Sequence, residues 1–253
     1  MELPENKFKS ALIAGDRQIG LWCTIPDPGV VEMLSVCGYD WLLIDTEHAP
    51  MDVVGTVPLM QAAAAYPVST VVRVGWNDPV EIKKALDCGA QTLLVPFVQN
   101  AQEAASAVAA VRYPPAGIRG VAGTTRASRY GLVKDYTARA NDEIGLLVQI
   151  ETGAALAEIE AIAAVDGVDG IFIGPADLAA SIGYPGQTSH PEVKAAVLDG
   201  IRRITAAGKP AGILTLDQVF LKEVEQAGGQ FIAVGLDLAL LRDAAISLRE
   251  SWD

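Results

Sequence analysis

The chain is short of the residues that several familiar chemistries need. It has two histidines, His48 and His190, far apart in sequence, so a multi-histidine zinc site is excluded. Its three cysteines, Cys23, Cys37 and Cys88, show no CxxC spacing and read as reduced thiols of a cytosolic protein. Lysine is sparse as well. Positions 7, 9, 83, 84, 134, 194 and 222 fall in the N-terminal tail or on helical segments, and Lys209 precedes a strand, so no lysine sits where imine chemistry would require one. Basic charge is in deficit: 19 Lys and Arg against 31 Asp and Glu give a net charge of −12, which argues against a nucleic-acid partner. An anionic substrate is not excluded, because one metal ion and one arginine suffice for a local positive spot. No apolar run approaches the roughly 20 residues of a membrane span, and the opening MELPENKFKSALIAGDRQIG is charged with no apolar signal core. A cytoplasmic protein with no membrane partner is expected. No GxxxxGK[ST] or GxGxxG occurs, so there is no evident cradle for a nucleotide phosphate.

What the chain has is alternation. Short apolar runs recur at Gly20–Thr24, Trp41–Asp45, Thr70–Val74, Thr92–Pro96, Leu146–Ile150, Gly170–Ile173, Ala211–Leu214 and Phe231–Val234. They are continuous rather than alternating, as expected of strands covered on both faces. Helical segments lie between them: Gly29–Cys37, Val80–Cys88, Ala101–Val111, Gly153–Ala164, Pro191–Ala207 and Asp217–Gln226. Several stop at a glycine (Gly38, Gly89, Gly208, Gly228), the usual left-handed terminator. Eight such units in 253 residues predict a single domain, residues 1–253, folded as a (β/α)8 barrel. An open doubly wound sheet would want a glycine-rich turn after the first strand, and Cys23-Thr24-Ile25-Pro26-Asp27-Pro28 is not one.

In such a barrel the residues just past each strand build the active site. Glu151 follows Leu146–Ile150, and Asp177 stands in Gly174-Pro175-Ala176-Asp177 after Gly170–Ile173. Two hard oxygen ligands facing each other over the mouth suit Mg²⁺ or Mn²⁺. Either acid could instead stabilise a helix N-terminus. Arg73 interrupts the third apolar run; its planar fork fits a substrate carboxylate, and equally an ion pair with Asp45 or Glu151. His48, in Asp45-Thr46-Glu47-His48, has the right chemistry for proton transfer near neutrality, or is a plain surface histidine. His190, in Ser189-His190-Pro191, reads as a helix start. Between Pro96 and Leu146 lies one long loop, Arg112–Gly131, with four arginines. It reads either as a solvated basic loop or as a wall or subunit contact over the mouth. The segment Leu240–Trp252 is amphipathic and fits a neighbour as well as its own barrel.

LLIDTEHAP, VVRVGWNDPVEIKKALDCGAQTLLVPFVQN, RYPPAGIRG, LVQIET and DGIFIGPADL, in that order, resemble the HpcH/HpaI aldolases over essentially the whole chain. The resemblance implies a pyruvate-binding TIM barrel and a metal-dependent class II aldolase that cleaves a 4-hydroxy-2-oxo acid to pyruvate and an aldehyde. It implies Glu151 and Asp177 as metal ligands for Mg²⁺ or Mn²⁺, with Co²⁺ a further candidate. It implies pyruvate contacts at Gln149, Gly174, Pro175, Ala176 and Asp177, Arg73 as stabiliser of the enolate, and His48 as general base. Asp87 would raise the basicity of that base, and Asp45 is a further polar site residue. Trp22, Val121 and Leu214 would border the aldehyde pocket. A homo-oligomer, commonly a hexamer built as a trimer of dimers, is also implied. Alternatives with the same residues are a 2-keto-3-deoxy sugar-acid aldolase, a CoA-thioester lyase and a non-catalytic pyruvate-binding barrel.

Overall fold

The computed structural model describes residues 1–252. Eight parallel strands, each hydrogen-bonded to the next and the last to the first, close a barrel. They are β1 (Gln18–Cys23), β2 (Trp41–Asp45), β3 (Ser69–Arg73), β4 (Thr92–Val95), β5 (Gly145–Ile150), β6 (Gly170–Ile173), β7 (Ala211–Leu214) and β8 (Gly229–Leu236). The helices are α1 (Lys7–Ala14), α2 (Pro28–Ser35), α3 (Thr56–Ala63), α4 (Pro79–Asp87), α5 (Ala101–Val111), α6 (Tyr136–Glu143), α7 (Gly153–Ala157), α8 (Ile159–Ala163), α9 (Pro175–Ser181), α10 (Pro191–Ala206), α11 (Gln218–Gln226) and α12 (Asp237–Glu250). All eight expected strands are present, each limit within two residues of the expected one.

The helix starts follow from local chemistry. Asp27 and Asp78 each precede a proline and accept backbone N–H bonds from the first turns of α2 and α4. The proline fixes φ where its missing N–H costs nothing, and the aspartate satisfies donors that have no partner within the helix. The expected helix Gly153–Ala164 is instead two short helices, because Glu158 leaves helical backbone at φ −100, ψ 9. Helices α1, α3, α6 and α9 were not anticipated.

Two apolar layers hold the barrel. One lies between strands and helices. The other fills the interior with Trp22, Trp41, Leu43, Val71, Leu94, Leu147, Phe172, Phe231 and Ala233. Each inward-facing aromatic, if fully buried, contributes roughly 2–3 kcal/mol. Phe8 of α1 stoppers the N-terminal end, with ring centroids 5.6 Å from Trp41 and 6.0 Å from Phe231. Large rings fit because their neighbours are glycines. A Cβ on Gly20 would lie 2.2 Å from Trp41, and one on Gly212 2.1 Å from Phe231.

Within its own chain the long loop does not wall the barrel mouth. Arg119 is fully buried, donates to Asp87 at the end of α4 (2.7 Å) and lies over the Tyr113 ring at 4.4 Å. Arg126 donates to the carbonyl of Cys88 just past α4 (2.9 Å), and Arg112 to Asp166 (3.2 Å). The loop therefore runs along the outside of α4 towards its C-terminal end, where free carbonyls attract cations. That end is opposite the mouth.

Candidate active site

Strand parity places the polar residues. Side chains two apart share a face, so the register that sends Trp41, Leu43, Val71 and Leu147 inward also sends Asp45, Arg73 and Gln149 inward, one layer higher. Their positions near the carboxyl ends of β2, β3 and β5 put them at the mouth. Asp45, Arg73, Gln149 and Glu151 are all buried, against the usual tendency of charged groups.

Arg73 is the hub. Its Nε donates to Asp45 Oδ1 (2.9 Å) and Nη2 to Asp45 Oδ2 (2.6 Å). Nη1 lies 2.8 Å from Glu47 Oε2. The Trp22 ring sits under the guanidinium at 4.9 Å, and its indole N–H donates to Asp45 Oδ2 (3.1 Å). Burial works against the Asp45 carboxylate, but the two bonds and the charge of Arg73 prevail and hold it below the ordinary range. Of the alternatives left open for Arg73, the ion pair with Asp45 is real. Asp45 Oδ1 also accepts the backbone N–H of Glu47 (2.9 Å), which shapes the loop that presents His48. His48 is two-thirds exposed at the rim, with Nε2 3.9 Å from Glu47 Oε1.

Glu151 stands across the mouth. Oε1 accepts the N–H of Phe97 (2.8 Å), whose backbone turns left-handed at φ 56 to present it, and Oε2 accepts from Gln149 Nε2 (2.6 Å). Gly174 leaves the room this carboxylate occupies: a Cβ there would lie 2.6 Å from Glu151 Oε2. Burial pushes the Glu151 carboxyl up to about 7; the two hydrogen bonds oppose this, and the charges of Glu47 and Asp177 add to it. Glu47 is likewise raised, first by burial, with Arg73 opposing and Asp45 and Asp177 reinforcing. Asp177 lies in the first turn of α9, immediately past β6, and is exposed to the mouth's solvent.

Glu47 is thus a site residue that sequence reasoning passed over. Its signal was available: an acid two residues past a strand end, in the same loop as His48. The buried Gln149 Oε1 has no hydrogen-bond partner among the described residues, which leaves an acceptor at the same spot. Leu214, at the end of β7, packs against the interior layer that contains Trp22. Val121 and Asp87 do not join this group within the chain. Val121 is exposed on the loop outside α4, and Asp87 is paired with Arg119. Pro175 and Ala176 open α9 beside Asp177.

Among the described residues no three His, Cys, Asp or Glu side chains form a closed metal cage. Glu151 and Asp177 would make an open holder, leaving coordination positions for substrate and water. Among the described residues no helix is long and apolar enough to cross a membrane.

Comparison with known proteins covers the whole barrel. Residues 18–244 match the family model described as HpcH/HpaI aldolase/citrate lyase. The chain is 61% identical over 252 residues to a hydroxypyruvate/pyruvate aldolase of Sagittula stellata, covering all of both chains. It is 52% identical over 245 residues to a 4-hydroxy-2-oxo-heptane-1,7-dioate aldolase of Salmonella dublin, covering 96% of this chain and 93% of that one. Among solved structures, an HpcH/HpaI aldolase/citrate lyase family protein from Burkholderia cenocepacia superposes with a TM-score of 0.93 at 39% identity, covering 98% of this chain and 100% of that one.

Proposed function

The chain belongs to the HpcH/HpaI aldolase/citrate lyase family, and from that premise we propose that it is a divalent-metal-dependent class II aldolase. Its reaction would be the reversible cleavage of a 4-hydroxy-2-oxo acid to pyruvate, or its hydroxylated analogue, and an aldehyde. The hydroxypyruvate option is favoured by the name of the Sagittula relative.

One observation carries the metal. Glu151, Glu47 and Asp177 repel one another across the mouth, and burial raises the first two. Arg73 is shared by Asp45 and Glu47, which leaves Glu151 and Asp177 without a paired cation among the described residues. A divalent ion relieves this arrangement, and oxygen-only donors suit Mg²⁺ or Mn²⁺, with Co²⁺ also able to take them. Glu151 and Asp177 would hold it, and when bound it would act as a Lewis acid on the 2-oxo acid.

The remaining work falls to the chain's own groups. Arg73 places fixed positive charge beside the mouth, where negative charge grows on the 2-oxo oxygen as the C3–C4 bond breaks. Asp45 and Trp22 keep its fork from moving. Gln149 and the start of α9 at Gly174, Pro175 and Ala176 would orient the pyruvate moiety. His48 would take the proton of the C4 hydroxyl and return it in the synthetic direction. Leu214 gives the aldehyde side an apolar wall. Any action of Asp87 or Val121 on this mouth would have to come from another copy of the chain.

The test is deuterium exchange into the methyl group of pyruvate, followed by NMR with and without Mg²⁺ or Mn²⁺. Metal-dependent exchange that disappears in Glu151→Gln is the expected result. Exchange that is unaffected by chelator, or absent while pyruvate still binds, would overturn the metal-dependent aldolase reading.

A further inference from the structure

Two of the long loop's four arginines have no carboxylate. Arg112 pairs with Asp166 and Arg119 with Asp87. Arg126 makes a single side-chain hydrogen bond, from Nη1 to the Cys88 carbonyl (2.9 Å), so its Nε and Nη2 have no partner among the described residues. Arg129 is exposed, and its side chain bonds to nothing among them. Acids outnumber bases 31 to 19 in this chain, so two neighbouring arginines without one are not a matter of scarcity.

The backbone holds the two together. Ser128, between them, is buried; its hydroxyl donates to the Gly123 carbonyl (2.9 Å) and accepts the Gly131 N–H (3.0 Å). The Tyr130 N–H returns to the Thr125 carbonyl (2.8 Å). Arg129 and Tyr130 sit at φ 51 and 57, a region that a residue with a Cβ enters only when its surroundings impose it. Gly89, just past α4, makes room for Arg126: a Cβ there would lie 2.4 Å from Arg126 Nη1. Burial first, and then the charge of Arg129, lowers the Arg126 guanidinium from its ordinary value, so the two cations repel each other.

Both arginines border a cavity of about 250 Å³ at the N-terminal end of the barrel, opposite the mouth. Lys7 adds a third positive charge, and Met60, Tyr66 and Tyr136 give the cavity an apolar flank. Two acids also border it. Glu5 accepts from the Ser10 hydroxyl (3.2 Å) and Glu143 from the Asn6 N–H (2.5 Å), and neither pairs with a cation among the described residues. The acids are thus engaged by the N-terminal segment, and the arginine donors are left over.

We propose that Arg126 and Arg129 form a binding site for a small oxyanion, a carboxylate or a phosphate group, in this cavity and separate from the aldolase mouth. A guanidinium fork matches two oxygens of either group. A loop that already holds both arginines in place loses little freedom on binding. The apolar flank leaves room for a small hydrocarbon body beside the charged group.

The test is titration calorimetry of the metal-free full chain with inorganic phosphate and, separately, with benzoate. Saturable binding of at least one of them is expected, and the tighter of the two names the group. Binding of neither overturns the proposal. Arg126→Gln with Arg129→Gln should weaken that binding about 10-fold or more. Unchanged affinity would place the anion elsewhere, the mouth included, and overturn it. Arg126 also anchors the end of α4, so Arg129→Gln alone is the second variant; its side chain touches nothing in the chain, and about a 3-fold loss is expected. No loss overturns the assignment of Arg129. Sodium chloride at matched ionic strength should compete far less than the oxyanion does. If affinity follows ionic strength alone, the arginines are a diffuse positive surface and not a site.

Discussion

Arg73 and Asp45 meet fork to fork, Nε to Oδ1 at 2.9 Å and Nη2 to Oδ2 at 2.6 Å, with both side chains buried. This geometry fixes the guanidinium plane and leaves Nη1 as the edge towards Glu47 and the mouth. The pair is therefore a mount for a charge as well as a structural bond.

Breaking the mount should cost stability and activity together. Asp45→Asn leaves a buried guanidinium without its counter-charge, a loss of about 3–5 kcal/mol in chemical denaturation. Arg73→Lys keeps a charge but loses the fork, and kcat should fall about 100-fold, near 3 kcal/mol of barrier lowering. An effect confined to KM would mean that Arg73 only binds substrate.

Glu151 predicts how the metal-free protein responds to pH. Its folded-state pKa, about 7, lies above the ordinary 4.5. Between those values the folded state binds the proton and the unfolded state does not. Stability should then be greatest below pH 4.5 as far as this group is concerned, and decline as pH rises to about 7, by about 3 kcal/mol in all. Glu151→Gln should abolish the decline and be the more stable metal-free protein at pH 8. In the wild type, metal should bind more weakly below pH 7, where the proton competes. Thermal melts and titration calorimetry across pH 5–8 check both statements.

His48→Ala should lower turnover in aldol cleavage by about 100-fold or more, the usual worth of a positioned general base, while pyruvate and metal affinities stay near wild type. Unchanged turnover would remove His48 from the mechanism. Its exposed position makes loss of the fold an improbable explanation for a drop.

Gly212→Ala tests the barrel's interior packing. The added Cβ would sit 2.1 Å from Phe231, so the ring must shift, at about 1–3 kcal/mol. Combining it with Phe231→Leu should restore most of the lost stability. A silent Gly212→Ala would show that the aromatic layer has slack.

The barrel was legible because its signals are local. Runs such as Leu146–Ile150 are apolar on both faces, and turns such as Asp78-Pro79 state where a helix begins. Helices α1 and α3 escaped because their apolar positions, Phe8 and Leu12 or Leu59 and Met60, gain meaning only from what they cover. At the site, strand-end position exposed Arg73, His48, Glu151 and Asp177 as candidates, and the family resemblance added Asp45. Glu47 escaped because spacing along one chain does not reveal that it shares a pocket with Glu151. The arginine loop stayed open between two readings for a similar reason. Four arginines do not say in sequence that Arg119 is buried on Asp87 and that Arg126 reaches the carbonyl of Cys88 at the C-terminal end of α4.

The closure of the barrel by β8 on β1 has a consequence for how the molecule is made. Asp237 accepts the Thr24 N–H across positions 213 apart in sequence, and the β1–β8 seam beside it spans at least as much. During synthesis β1 emerges before the other strands and waits, with one edge unpaired, until β8 has left the ribosome. Such an edge is a template for wrong partners, and contacts this distant form slowly. Closure is thus postponed until β8 has been made, and a nascent chain stalled before residue 229 would be expected to bind chaperones rather than fold.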